Sequence, residues 1–100
     1  MARDIYAYRE VALESLEEAG RVVLRPVPGQ AYSAELAVHC ARALRDTARY
    51  PLGTAFLVSA KLTDRLGGEP YLFVYHGDPV RVLTPAQLDA FLADRRRLRI

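Results

Sequence analysis

The feature that most constrains the fold is a pair of strand-length runs in the second half of the chain. Residues 54–62 and 70–76 are rich in β-branched and aromatic residues, and the pair Gly67-Gly68 lies between them. Residues of these types favour strands, and two such runs separated by a short break that contains glycine are typical of a β-hairpin. The sequence therefore predicts an antiparallel hairpin as the centre of the fold.

The register of this hairpin decides which side chains share a face. With a loop at residues 65–68, Leu62 lies opposite Tyr71, and the aromatic residues of the second run face the core. A tight turn at residues 77–78 then brings the valines of the next strand to the same face, which favours this register. The predicted core face consists of Phe56, Val58, Ala60, Leu62, Tyr71, Phe73, Tyr75, Val80 and Val82.

A shift of one residue gives a different surface from the same hairpin. It pairs Leu62 with Leu72, and it places the three rings of the second run beside Lys61. Aromatic rings beside a cation on a sheet are typical of surfaces that stack unpaired bases. This register is the alternative, and it ranks second because the third strand supports the first.

Three other segments predict helices. In residues 3–19 the apolar positions recur at intervals of three and four, and Gly20 follows as a C-cap. Ser33 is a suitable N-cap for a second helix that continues to about Tyr50. Residues 84–87, Thr-Pro-Ala-Gln, have the pattern of a capping box and predict a third helix whose apolar stripe contains Leu88, Phe91 and Leu92.

Two short strands complete the predicted order. Residues 21–25 are apolar between arginines, and Pro26 after them favours the edge of a sheet because proline has no amide proton to donate. Residues 79–83 predict a strand that follows the hairpin. The fold class is therefore α+β, with the order α-β-α-β-β-β-α and a small antiparallel sheet, a three-stranded meander with a fourth strand at its edge, packed against helices.

Composition narrows the class of protein. One hundred residues with 51% hydrophobic and 26% charged content predict one globular domain over residues 1–100. The chain has neither an apolar run long enough to span a membrane nor a secretory signal, so we expect a cytoplasmic protein. A single cysteine, Cys40, cannot form an intramolecular disulfide, and it has no zinc-like spacing with His39 and His76. We expect no metal and no cofactor.

The first functional hypothesis is a non-catalytic binding domain that forms a homodimer. In the preferred register the second face of the sheet is half apolar, and three helices are too few to cover it. A protein or small-molecule partner would fit the same face. Its candidate contacts are Leu57, Lys61, Leu72, Val74, His76 and Arg81, and Leu83 adds to the apolar part.

Two alternatives come from other classes. A nucleic-acid-binding protein would use arginine-rich surfaces, with the candidate contacts Arg95, Arg96, Arg97 and Arg99 at the C-terminus; a net charge of +2 gives this alternative little support. A small enzyme would use His76 and Asp78 as acid-base groups, but no nucleophile lies beside them in the sequence, so no catalytic residue is assigned.

Overall fold

The computed structural model describes residues 8–64, 68–75, 77 and 79–98. Within these ranges the chain forms six strands, one 3₁₀ helix and one α-helix. The strands are β1 (Arg9–Glu18), β2 (Arg21–Pro26), β3 (Ala37–His39), β4 (Ala55–Thr63), β5 (Tyr71–Val74) and β6 (Arg81–Leu83). The 3₁₀ helix covers Arg42–Arg45 and the α-helix, α1, covers Pro85–Leu98.

The six strands form one strongly curved sheet. Its main order is β2-β1-β4-β5-β3, with antiparallel pairs throughout except for the parallel pair β3–β5. β5 and β6 pair with the same edge of β4. β6 pairs with the N-terminal part of β4, and β5 pairs with its C-terminal part. The curvature brings β2 and β3 close to each other, so the sheet is a nearly closed barrel with a seam between these two strands.

The barrel interior is filled by alternate residues of the strands. Phe56, Val58 and Ala60 of β4 face inward, and Leu72 of β5 is fully buried among them. Period-2 alternation places one set of side chains inside and the other set on the outer face. The interior cluster also includes Val11, Leu13, Leu24, Leu44 and Val74.

Helix α1 covers one part of the outer face. Leu88, Phe91 and Leu92 pack against a second buried cluster, which consists of Ala12, Val27, Ala55, Leu57 and Leu83. The predicted capping box is confirmed, because the Gln87 amide donates to Thr84 Oγ1 at 3.1 Å and the Thr84 amide donates to Gln87 Oε1 at 2.8 Å. The predicted third helix and its apolar stripe are therefore correct.

Under this helix, the side chain of Gln30 forms hydrogen bonds to β1 beyond the point where Pro26 ends the strand pairing between β1 and β2. β2 ends at Pro26, and although the Val27 amide still donates to the Ala12 carbonyl at 3.0 Å, the Ala12 amide in β1 needs another acceptor. The buried side chain of Gln30 accepts from the Ala12 amide and donates to the Ala12 carbonyl, both at 2.8 Å. Its amide also donates to the Val27 carbonyl, so the loop after β2 is fixed against β1.

The prediction of a helix over residues 3–19 is wrong for the part that the structure describes. Residues 9–18 form β1, which pairs with β2 on one edge and with β4 on the other. Gly20 is a hairpin residue and not a helix cap: Glu18 lies opposite Arg21, and the two residues between them, Ala19 and Gly20, have φ angles of 53° and 76°. Two positive φ angles are those of the turn that suits tight hairpins.

The second predicted helix is also wrong. Its range contains strand β3, the 3₁₀ helix and turns at residues 34–35 and 47–49. Ser33 does accept a hydrogen bond from the Glu35 amide at 3.1 Å, but it closes a turn before β3 and does not begin a helix. Leu44 is buried in the barrel interior whereas Ala37, Ala41 and Ala48 are exposed, so the helical stripe does not exist.

The α+β fold class must be corrected to a mainly β barrel, and the hairpin register is the second of the two alternatives. β4 and β5 form the predicted antiparallel hairpin, but Leu62 pairs with Leu72 and Lys61 with Phe73. The three-stranded meander is wrong because β6 pairs with β4 instead of β5. The prediction that β2 is an edge strand is correct.

Candidate binding surface

The observed register places aromatic rings on the outside of the barrel. Leu72 and Val74 face inward, so Tyr71, Phe73 and Tyr75 face outward, where each is half-buried. Neighbouring strands add side chains to the same surface: Tyr8 and Lys61 on one side, and His39 of β3, which pairs with Phe73, on the other. We call these six residues, Tyr8, His39, Lys61, Tyr71, Phe73 and Tyr75, the aromatic face.

The members of the aromatic face contact one another. The His39 ring stacks on Tyr71 with centroids 4.1 Å apart and an interplanar angle of 23°. At the other side Tyr8 and Tyr75 meet edge to face at 5.9 Å, and Lys61 Nζ lies 5.6 Å from the centre of the Tyr8 ring. Such ring–ring and cation–ring contacts hold amphipathic side chains in place at a surface.

The backbone after β5 supports this arrangement. The Tyr75 amide donates to the Ser59 carbonyl, which continues the pairing with β4. A Cβ atom on Gly77 would lie 2.5 Å from Cε2 of Tyr75, so a residue other than glycine at this position would displace the ring. Arg81, opposite Leu57, is exposed on the same outer side of β4 and follows the aromatic row.

A groove of about 610 Å³ begins at the His39–Tyr71 stack. It lies where the chain enters β3 and β5, and its lining is mixed, with Leu36, Ala37 and Pro70 as the aliphatic part. Arg25, Ser33 and Glu35 line one wall, and Glu69 lies before Pro70 on the way into β5. A groove that combines an aromatic pair with convergent polar groups has the composition of a ligand site.

The seam between β2 and β3 is held by one arginine. Arg25 Nη1 donates to the backbone carbonyls of Glu35 and Leu36 at 3.1 and 3.0 Å, and Nε and Nη2 bind the Glu18 carboxylate at 3.1 and 2.6 Å. The hydrogen bonds from Arg25 lower the pKa of Glu18, and the same carboxylate raises the pKa of Arg25. Arg25 is therefore a structural cation, with four hydrogen bonds to Glu18 and to the backbone before β3.

The structure buries the leucine and valine residues predicted as partner contacts. Leu57 packs under α1, and Leu72 and Val74 lie in the barrel interior, because the register differs by one residue from the preferred one. Leu83 is also under the helix. The homodimer remains a prediction, but the open apolar face that motivated it is absent from the described part of the sheet.

The other predicted contacts divide into two groups. Lys61 is part of the aromatic face and Arg81 lies beside it. His76 and Asp78, and the arginine side chains at 95, 96, 97 and 99, lie outside the described residues. Arg45 lines a groove of about 250 Å³ at the seam together with Arg25 and His39.

The single cysteine of the chain lies directly after β3. Cys40 is partly buried against the barrel interior, and burial raises the pKa of its thiol. Among the described residues no group of three histidine, cysteine or acidic side chains is placed to hold a metal ion. In the same ranges no helix has the length and apolarity that crossing a membrane requires.

Two members of the aromatic face were not singled out from the sequence as parts of this surface. Both residues lie in segments for which the sequence predicts a helix, Tyr8 in residues 3–19 and His39 in the segment from Ser33 to about Tyr50. The signal that would have found His39 is the alternation of residues 36–40, in which Leu36, Val38 and Cys40 all pack against the interior. No protein-family model, curated protein or solved structure matches this chain.

Proposed function

We propose that this protein is a small binding domain that holds unpaired nucleic-acid bases on its aromatic face. The observation that carries the proposal is the pairing of Lys61 with Phe73, which turns the rings of β5 outward beside a cation. Sheet surfaces of this type bind single strands, because every base can stack on an aromatic ring whatever its sequence.

The spacing of the rings fits such a ligand. Tyr71, Phe73 and Tyr75 are successive outward positions of one strand, so their Cα atoms are about 6.6 Å apart. Stacked bases in a continuous helix are roughly half that distance apart, at about 3.4 Å. A strand with its bases spread out, one to each ring, matches the face better than a duplex.

The charges next to the rings favour the same ligand. Lys61 lies within the face, and Arg81 follows the row at its end. Two cations at these places can contact phosphates between the bases, and they give an affinity that falls with salt concentration. Because the cations are few, we expect stacking to supply most of the affinity.

The proposal is tested by fluorescence anisotropy with a labelled uridine octamer at low and at physiological salt. We expect binding to the wild-type protein and about tenfold weaker binding to Phe73→Leu, which keeps apolar volume but removes the ring. Leu52→Ala, which changes an exposed residue outside the face, is the control and should bind like the wild type.

A second pair of variants tests the cation. Lys61→Gln should weaken binding at low salt more than at high salt, whereas Arg21→Gln removes the same charge from an exposed position in β2 and should have a smaller effect. Equal affinity of wild type and Phe73→Leu for the octamer, or no binding at all at low salt, would contradict the proposal.

A further inference from the structure

The groove at the end of the aromatic face is lined by two carboxylates, which accept hydrogen bonds and do not bind phosphates. Glu35 and Glu69 both line it, and Ser33 lies between β2 and β3 in the same wall. Arg25 also lines the groove, but its charge is paired with Glu18, so the two remaining carboxylates repel a phosphate. The part of a nucleic acid that enters here must present donors instead. Resting on the proposed function, we infer that this groove selects guanine among the unpaired bases.

Guanine fits because of the donors on its Watson–Crick edge. Its N1–H and its N2 amino group are adjacent and point the same way, so that one carboxylate can accept from both. Adenine and cytosine present one amino group next to a ring nitrogen that is an acceptor, and a carboxylate would be repelled by it. Uracil offers a single N–H between two carbonyl oxygens.

The surroundings of Glu35 position it for this role. Its amide donates to Ser33 Oγ at 3.1 Å, and its carbonyl accepts from Arg25, so the backbone is held on both sides of the residue. Arg25 directs its ion pair to Glu18, and the Glu35 side chain is exposed at the groove. Because the backbone is fixed, binding of a base has to order only the Glu35 side chain, which limits the entropy lost.

The stacking partner of the base is the other half of the site. His39 is exposed and stacks on Tyr71, so the two rings form the boundary between the groove and the aromatic face. A base next to this pair can stack while its edge points to the carboxylates. Stacking without a base-specific contact holds the rest of the strand on Phe73 and Tyr75.

The test compares uridine octamers that differ in one central nucleotide: uridine, guanosine, inosine or adenosine. With wild-type protein we expect the guanosine octamer to bind about tenfold more tightly than the uridine octamer. Inosine lacks the N2 amino group and should lose most of this advantage, and adenosine should have none. A single guanosine in each strand avoids association between guanines.

The double variant Glu35→Gln/Glu69→Gln should bind the uridine octamer at least as tightly as the wild type and lose the preference for guanosine. Glu17→Gln, an exposed carboxylate of β1 outside the groove, is the matched control and should keep the preference. Binding of all four octamers with equal affinity, or a preference that survives in the double variant, contradicts the guanine site and leaves the stacking surface standing. Failure of every octamer to bind contradicts both.

Discussion

The outer face of the barrel has two parts that differ in their exposure to solvent. One part, under α1, contains Ala12, Ala55 and Leu57, and all three are buried. The other part is the aromatic face, which carries larger side chains and has no helix over it in the described chain. Strand β4 contributes outward residues to both parts, Ala55 and Leu57 to the first and Lys61 to the second, so the difference comes from which residues occupy the outward positions of the strands.

This difference indicates that one part of the outer face stabilises the fold and the other part is available for binding. Small and aliphatic side chains let a helix approach the sheet closely, and they have no polar group that would need a partner. Tyrosine, histidine and lysine combine an apolar body with a polar end, so they can remain at a surface. We therefore expect substitutions in the first part to change folding and substitutions in the second to change binding.

The largest effect should come from Leu57→Ala, which opens a cavity beneath α1. We expect it to lower the free energy of unfolding by about 3 kcal/mol, since the surrounding residues cannot fill the space. Phe73→Leu should lower it by about 1 kcal/mol or less. Urea unfolding curves of both variants measure the difference, and a larger loss for Phe73→Leu would break the comparison.

The second largest loss of stability should come from removal of the Gln30 side-chain amide. Gln30→Met has a similar shape, but it leaves the buried Ala12 amide without its acceptor, and we expect a loss of about 2 kcal/mol. Hydrogen exchange of the Ala12 amide should become faster in this variant. An unchanged exchange rate of the Ala12 amide would contradict this prediction, because it would mean that another group accepts the hydrogen bond from this amide.

The helix that covers the first part depends on its cap. Thr84→Ala removes the acceptor for the Gln87 amide and should cost about 1 kcal/mol of stability. Thr84→Ser retains the hydroxyl and is the control. Neither variant should alter the affinity for a uridine octamer, and a loss of binding by Thr84→Ala alone would mean that α1 also supports the aromatic face.

The smallest effect belongs to the turn between β1 and β2, where Ala19 has a φ of 53°. Ala19→Asn should stabilise the protein by up to about 1 kcal/mol, because asparagine followed by glycine suits a turn with two positive φ angles. Destabilisation would favour the helix that the local pattern indicates, since asparagine is a poorer helix former than alanine. A thermal melt decides between the two.

The parts of the fold that could be predicted are those in which local chemistry decides the structure. The Thr84–Gln87 capping box fixes the start of α1, and the β-branched runs fix β4 and β5. The segment 9–18 could not be read in this way, because glutamate, leucine and alanine favour helices and only pairing with β2 and β4 makes it a strand.

Whether the rings of β5 face outward and form the candidate site depends on a shift of one residue in the pairing of β4 with β5. Both registers of the β4–β5 hairpin bring apolar residues together, and local sequence alone does not choose between them. The third strand favours the wrong register, because it is expected to pair with β5 whereas β6 pairs with β4. The aromatic face therefore follows from the β4–β5 register, and the position of the third strand does not reveal that register.

The most direct test of the central claim is a ¹H–¹³C NMR titration of the aromatic rings with the uridine octamer. Bases that stack on the aromatic face should shift the ring signals of Tyr71 and Phe73 upfield, and these shifts should saturate with the affinity measured by anisotropy. The ring of Tyr50, which packs against Phe56 beside the barrel interior, should not move. Binding that leaves Tyr71 and Phe73 unshifted would contradict the account.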